Sequence, residues 1–435
     1  VSATLSPALR RAVSPHTGIV RSLEECLAGV ADPPHFQATC TVAAGDGLLG
    51  APLDHVAALG GAGLSRSEAA AAAVGEALER YSASFVPTAA LVPATARELG
   101  DEAVAPDRFA LFSEAQHARP GFPFRRFTSD TRVHWVRGWS VRDRREAWLP
   151  AELVYLCDAA LPGEAPVAYA TSSGLACAER CDESLVRGAC ELLERDAFML
   201  VWANRLSLPR LDWRHDDRFA DLDRRLFART GLAYSVVDLS AIHRLPSFLG
   251  VVRAARGGRG ALGVGAGTSP GLVRAWWKAL AEAFACRSAG AKLELVGLPR
   301  TYGAQGEGVV TFDDHIRYHA DHDRSGGASF LDAALATTPA GAVPALEGAD
   351  PVAALARRVE EAGSTLYAVD ATSPDVRELG LVVLKTLAPE LCALDVPHAA
   401  RFLGGRRLYE APVRLGLRER PLREEDVNPE PHPFP

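Results

Sequence analysis

The chain has 435 residues, 48% of them hydrophobic and 23% charged, with Lys+Arg 47 against Asp+Glu 54 and a net charge of −7. That apolar fraction excludes a disordered or fibrous chain, and the length suits two lobes or one large α/β unit. The lack of a basic surplus argues against holding nucleic acid by its phosphates. No run of about 18 apolar residues is free of charge, which argues against a membrane span.

Taken in chain order, the pattern predicts a strand over 36–44, a Gly-rich loop, and a long helix over 67–85 where Ala dominates. Residues 86–131, rich in Pro and Arg, read as irregular connection. Strands follow at 133–139 and 167–172, then a strong helix over 183–202. Strands at 233–238, 247–254 and 261–266 precede a helix over 273–289. A helix at 351–362 leads into strands at 365–369 and 380–386. Strands and helices mix without a regular βαβ cadence, so the expected class is α+β, a mixed α/β enzyme. Residues 427–435 stand apart as a Pro-rich tail.

Several familiar signals fall away on their chemistry. Gly45-Asp-Gly47-Leu-Leu-Gly50 matches the dinucleotide fingerprint, but Pro52 argues against the helix that must begin there. No G-x-x-x-x-G-K-[ST] string exists, so a nucleotide would be held without a P-loop. Cys177 and Cys181 are four apart, which is not the spacing of a zinc knuckle. Residues 1–20 show no charged start followed by an apolar run. The eight cysteines are therefore expected to be reduced thiols of a cytoplasmic protein. His315, His319 and His322 have helical spacing beside several aspartates. Such imidazoles either share a metal or decorate an exposed polar helix, and the second is expected.

One motif recurs. Glu76-Ala-Leu-Glu79-Arg80 lies in the Ala-rich helix, and Glu191-Leu-Leu-Glu194-Arg195 lies in the helix over 183–202. Positions i, i+3 and i+4 share a helical face, so each string projects two carboxylates and a guanidinium together. An exposed Glu–Arg pair is the ordinary explanation, but both helices are otherwise apolar nearly all round. Carboxylates on such helices are costly unless something neutralises them, and Mg²⁺ suits a set of oxygen donors. A di-iron site would need Glu-x-x-His, and neither helix supplies the histidine. A third helix carries Lys278, Glu282 and Arg287; Lys278 suits a phosphate, and Glu282 a metal or a ribose. The end, Pro429-Glu-Pro431-His-Pro433-Phe-Pro435, favours a stiff extended segment that is able to place a carboxylate in a pocket.

Together these strings resemble the YcaO superfamily, specifically its azoline-forming cyclodehydratases. The resemblance also takes in Ser14-Pro-His-Thr-Gly-Ile-Val20, Ser172-Ser-Gly-Leu-Ala176, Gly263-Val-Gly-Ala-Gly267 and Gly404-Gly-Arg-Arg-Leu-Tyr409. It implies a YcaO-type fold of mixed sheets and helices enclosing an ATP/Mg²⁺ site. Residues 1–426 would form the catalytic domain, and 427–435 a tail reaching the active site. Glu76, Glu79, Glu191 and Glu194 would be metal ligands. Arg80, Ser172, Ser173, Arg195, Lys278 and Glu282 would surround the nucleotide, and the terminal carboxylate of Pro435 would move protons. The implied activity converts Cys, Ser or Thr of a ribosomal precursor peptide into thiazoline or (methyl)oxazoline, with ATP phosphorylating the backbone amide oxygen. Thioamide or macrocyclic amidine formation, and a non-catalytic scaffold subunit, remain alternatives. The resemblance further implies a leader-binding partner related to ubiquitin-activating enzymes, a homodimer, and no nucleic-acid or membrane partner.

Overall fold

The computed structural model describes residues 5–43, 59–156, 164–296 and 300–434. The fingerprint at 45–50, Cys157 and Pro435 lie outside the described residues. In chain order the first elements are β1 (Val20–Cys26), β2 (Phe36–Val42), β3 (Leu59–Gly63) and helix α1 (Arg66–Ser84). Next come β4 (Val92–Ala94), β5 (Val133–Ser140), β6 (Glu146–Pro150), β7 (Leu175–Ala178) and α2 (Cys181–Asn204). The middle of the chain forms β8 (Arg210–Asp212), α3 (Asp217–Leu226), β9 (Ala233–Asp238), β10 (Ser247–Arg253), β11 (Leu262–Thr268), α4 (Leu272–Val296) and α5 (Phe312–Ala320). After β12 (Thr337–Pro339) come α6 (Pro351–Glu361), β13 (Tyr367–Asp370), β14 (Val382–Leu387) and α7 (Arg407–Arg414). The mixed α+β class is as the sequence predicts.

The chain divides into two compact units. The first comprises residues 1–28, 35–192 and 352–390; the second comprises 29–34, 193–351 and 391–435. The first unit holds an antiparallel sheet in the order β1-β2-β3 and a second sheet in the order β4-β5-β13-β14-β7, with β6 on β5. Its core gathers Ala70, Ala73, Val74, Ala77 and Leu78 of α1 with Leu59, Leu149, Val369 and Val383. Alanine is the reason α1 can bury so much of its circumference: it forms helix well and lets neighbouring backbone approach. Ser65 caps the helix by accepting the Glu68 N–H.

The second unit holds a sheet in the order β11-β10-β9-β8-β12, antiparallel except for the β8–β12 pair. Strands β10 and β11 are buried almost throughout, which explains their unbroken apolar and glycine runs. The glycines of β11 set how closely α4 lies on the sheet. A Cβ on Gly265 would sit 2.3 Å from Ala283 N, and one on Gly267 would sit 2.1 Å from Ala275 O. Gly265→Val should therefore force the helix off the strand and destabilise the protein by about 3 kcal/mol. Thermal unfolding checks this, and a melting temperature equal to the parent's would refute the packing argument.

Two expectations need correction. Residues 167–172 form no strand: Ser172 O accepts the Leu175 N–H, and Gly174 adopts φ 82°. The Ser-Ser-Gly turn thus delays the strand until Leu175. Helix α5 is also not an exposed polar helix, because His315 and His319 are fully buried. The region over 86–131 contains only β4 and short helical turns, as expected. Seven cysteines are free thiols among the described residues, and no described helix is long and apolar enough to cross a membrane.

Candidate functional site

The acidic strings form two sets of anchored carboxylates, one in each unit. In the first unit, Glu76 accepts the Gly60 N–H at 2.9 Å and the Arg80 guanidinium at 2.9 Å. One turn on, Glu79 Oε1 accepts the Cys177 N–H of β7 at 2.8 Å. Glu191, on the first half of α2, accepts the Gly174 N–H at 3.3 Å, at the turn carrying Ser172 and Ser173. Burial pushes the Glu79 carboxyl up to about 8, with the Cys177 N–H opposing and the charges of Glu191 and Glu76 adding.

In the second unit, Glu194 is 1% exposed. Its carboxylate accepts the Thr268 N–H at 2.6 Å and the Lys278 ammonium at 3.0 and 3.1 Å. Glu282 on α4 accepts the Ala266 N–H at 2.8 Å. Its carboxyl is raised by burial, which Lys278 opposes and Glu194 reinforces. The close seating of α4 on the β11 glycines brings Glu282 to that strand N–H. The Arg195 guanidinium lies over the Phe434 ring at 4.8 Å from its centroid. Glu191 and Glu194 are one turn apart on α2.

The same design recurs at all five carboxylates: a strand or turn N–H grips one oxygen, fixing the group while leaving acceptor capacity. Among the described residues, no three His, Cys, Asp or Glu side chains form a cluster able to hold a metal on their own. Mg²⁺ is usually bound through one or two carboxylates with phosphates and waters completing the shell. The donor set fits that cation, since mutually repelling carboxylates in the first unit gain from a neutralising positive charge.

Two features escaped the sequence reading. Lys385 on β14 is 2% exposed, and its ammonium donates to Thr171 O at 2.6 Å. Burial pulls its pKa down to about 8, while Glu191 opposes. The Lys385 contact fixes the turn bearing Ser172 and Ser173; the signal for it was a lone charge in the apolar run Val382-Val-Leu-Lys-Thr-Leu387. The other is Asp196, beside Arg195, whose carboxylate is fully buried. It takes two bonds at 2.7 Å from Arg407, one from His243 at 2.9 Å and the Cys392 N–H at 2.8 Å.

The helical histidines do not gather around a metal. His319 Nε2 donates to Pro431 O at 2.6 Å, and His315 lies 2.8 Å from both His432 O and Val396 O. Burial pulls His319 down to about 3 and lowers His315 and His432.

The fold is thus mixed α+β, and its candidate site is a set of carboxylates anchored along helices. The family model described as "YcaO cyclodehydratase, ATP-ad Mg2+-binding" matches residues 60–392, and the chain belongs to the YcaO family. Among solved structures, it is similar to a heterocyclase in complex with substrate and cofactor: 26% identity, TM-score 0.80, covering 99% of this chain and 57% of that one. The heterocyclase TruD is 27% identical with TM-score 0.67, over 86% of this chain and 51% of that one. The Methanopyrus kandleri YcaO bound with AMPPCP and Mg²⁺ is 17% identical with TM-score 0.61, over 88% of each chain, and shows the shared fold. The chain thus spans little more than half the length of the two heterocyclases. No curated protein matches it in sequence.

Proposed function

We propose that this protein is an ATP-dependent cyclodehydratase that converts Cys, Ser or Thr of a ribosomal precursor peptide into thiazoline or (methyl)oxazoline. The observation that carries the reading is the set of helix carboxylates, each gripped by a backbone N–H, on a chain similar along 99% of its length to a heterocyclase. In this reading Glu76, Glu79, Glu191 and Glu194 hold Mg²⁺. Arg80, Ser172, Ser173, Arg195, Lys278 and Glu282 bind and orient ATP. Lys278 acts as a point charge, since an ammonium lacks the fork of a guanidinium.

The chemistry has a definite need. The substrate's side-chain nucleophile attacks the preceding backbone carbonyl, giving an oxygen that is a poor leaving group. Transfer of the γ-phosphoryl group to that oxygen lets it depart as phosphate, leaving the ring and ADP. Bound Mg²⁺ offsets triphosphate charge. The chain's residues hold the nucleotide, keep the carboxylates in place and exclude water. Pro435 is proposed to assist proton movement. The precursor's leader is proposed to bind a protein related to ubiquitin-activating enzymes, and the active form to be a homodimer.

The test is mass spectrometry of a precursor peptide incubated with MgATP, this protein and the leader-binding partner. Loss of one water per modified residue is expected. Glu191→Gln should reduce turnover by at least about 100-fold, more than the usual loss on altering a residue behind a metal ligand. An unchanged peptide with all components present would refute the reading. Sulfur incorporation or amidine closure would replace it with another ATP-dependent amide activation.

A further inference from the structure

The C-terminal segment is gripped carbonyl by carbonyl. Pro429, Pro431 and Pro433 have no N–H, so this stretch cannot join a sheet by an ordinary ladder. Its carbonyls instead accept from side chains. Glu430 O takes the Trp202 indole N–H at 3.1 Å, and Pro431 O takes His319 Nε2 at 2.6 Å. His432 O faces His315 Nδ1 at 2.8 Å, and Pro433 O takes the Cys286 thiol at 3.7 Å. The donors come from α2, α5 and α4. Tyr318 adds a 2.5 Å bond to the Glu430 carboxylate, and the His432 ring stacks on His315 with centroids 3.9 Å apart.

This grip delivers Phe434 to a fixed place. Its ring is fully buried, 4.8 Å from the Phe198 ring, and its face carries the Arg195 guanidinium at 4.8 Å. Arg195 has several rotatable bonds, and a nucleotide-binding role requires one of its many rotamers. An aromatic face beneath a guanidinium favours one placement of the charge. Three side-chain donors on three of these carbonyls, with the His315 ring facing the fourth, is far more than is needed to stop a chain end from fraying.

We propose that residues 430–434 are a positioning segment for Arg195, held by Trp202, Cys286, His315 and His319 so that Phe434 sets the guanidinium for the nucleotide. The inference rests on the nucleotide role of Arg195 proposed above. Helix α5 acts through the tail.

Equilibrium binding of MgATP to the full chain tests it. Phe434→Leu should weaken binding about 5- to 20-fold, and Phe434→Tyr, which keeps the ring, should restore it. His319→Leu should weaken binding to a similar degree. The double variant His319→Leu/Phe434→Leu should be no weaker than either single one, because both act on one contact. Unchanged affinity in Phe434→Leu, failure of Phe434→Tyr to restore it, or an additive double variant would each overturn the proposal. Absence of MgATP binding by the parent protein would instead refute the functional reading. The grip is read separately by the rate at which a thiol reagent labels Cys286. His319→Leu should raise that rate, and an unchanged rate would overturn the holding role of α5.

Discussion

Glu79→Gln is expected to stabilise the metal-free protein while abolishing its MgATP-dependent chemistry. The Glu79 carboxyl is pushed from 4.5 up to about 8 by burial, with Glu191 and Glu76 adding to that shift. A carboxyl whose folded pKa lies above its unfolded one contributes its stability fully below the unfolded value. It loses that contribution as pH rises through the folded value, here across 4.5 to about 8. Glutamine is neutral at every pH, and its amide oxygen can still accept the Cys177 N–H. The variant and parent should therefore melt together near pH 4.5. The gap should then widen up to about pH 8, reaching on the order of 4 kcal/mol. Thermal unfolding from pH 4.5 to 8.5 with a chelator present measures it, alongside turnover with MgATP. A gap that does not change with pH would show that the buried site does not raise the Glu79 carboxyl. Retained turnover would remove Glu79 from the proposed metal set. A residue whose removal steadies the fold and stops the chemistry is kept for function, and this pairing separates it from an ordinary core polar group.

The carboxylates were legible because their helices broke a local rule: a charged stripe interrupted an apolar face within a single turn. Periodicity carries that kind of information, since the disagreement lies between neighbours three and four residues apart. It also located α1, α2 and α4 to within a few residues, except that α4 continues to Val296. Partners far apart in the chain were beyond its reach. Arg407 falls inside a string that the family resemblance picked out and Asp196 directly follows another, yet nothing local says that they meet across 211 positions. His315 and His319 share a face at helical spacing, but the sequence gives no sign that proline carbonyls cover that face. The expected strand over 167–172 failed for a related reason. Val167, Ala168 and Tyr169 suit a strand, while the turn imposed by Gly174 at positive φ decides where pairing begins.

Asp196→Ala should be among the most destabilising single changes in the second unit, costing about 3–5 kcal/mol. The carboxylate is wholly buried, and Arg407 is only 7% exposed, so removing the acid leaves a guanidinium stranded in the core. Burial alone would raise the Asp196 pKa. Arg407, then His243, overcome that and hold it well below the usual carboxylate range. A lowered pKa of this kind gives stability that is present above 3.8 and lost as pH falls below it. The parent's advantage over the alanine variant should accordingly persist from pH 8 down to about 4, then shrink. His243 sits beside the pair, its own pKa lowered by burial, and its Nε2 contacts the same acid. The decisive comparison is a double replacement, Asp196→Leu with Arg407→Met. Exchanging a buried ion pair for apolar groups of similar volume is often close to neutral, whereas either half alone strands a charge. Recovery of most of the lost stability in the double variant is expected, with a coupling of about 3 kcal/mol in the cycle. Additive losses would mean that the two residues act separately. Asp196 adjoins Arg195 and lies two positions from Glu194 on α2, so the same cycle bears on function. If the network's task is to hold that helix in register, turnover should return with stability in the double variant. Full stability with turnover still lost would instead show that the buried charge itself is needed next to Arg195.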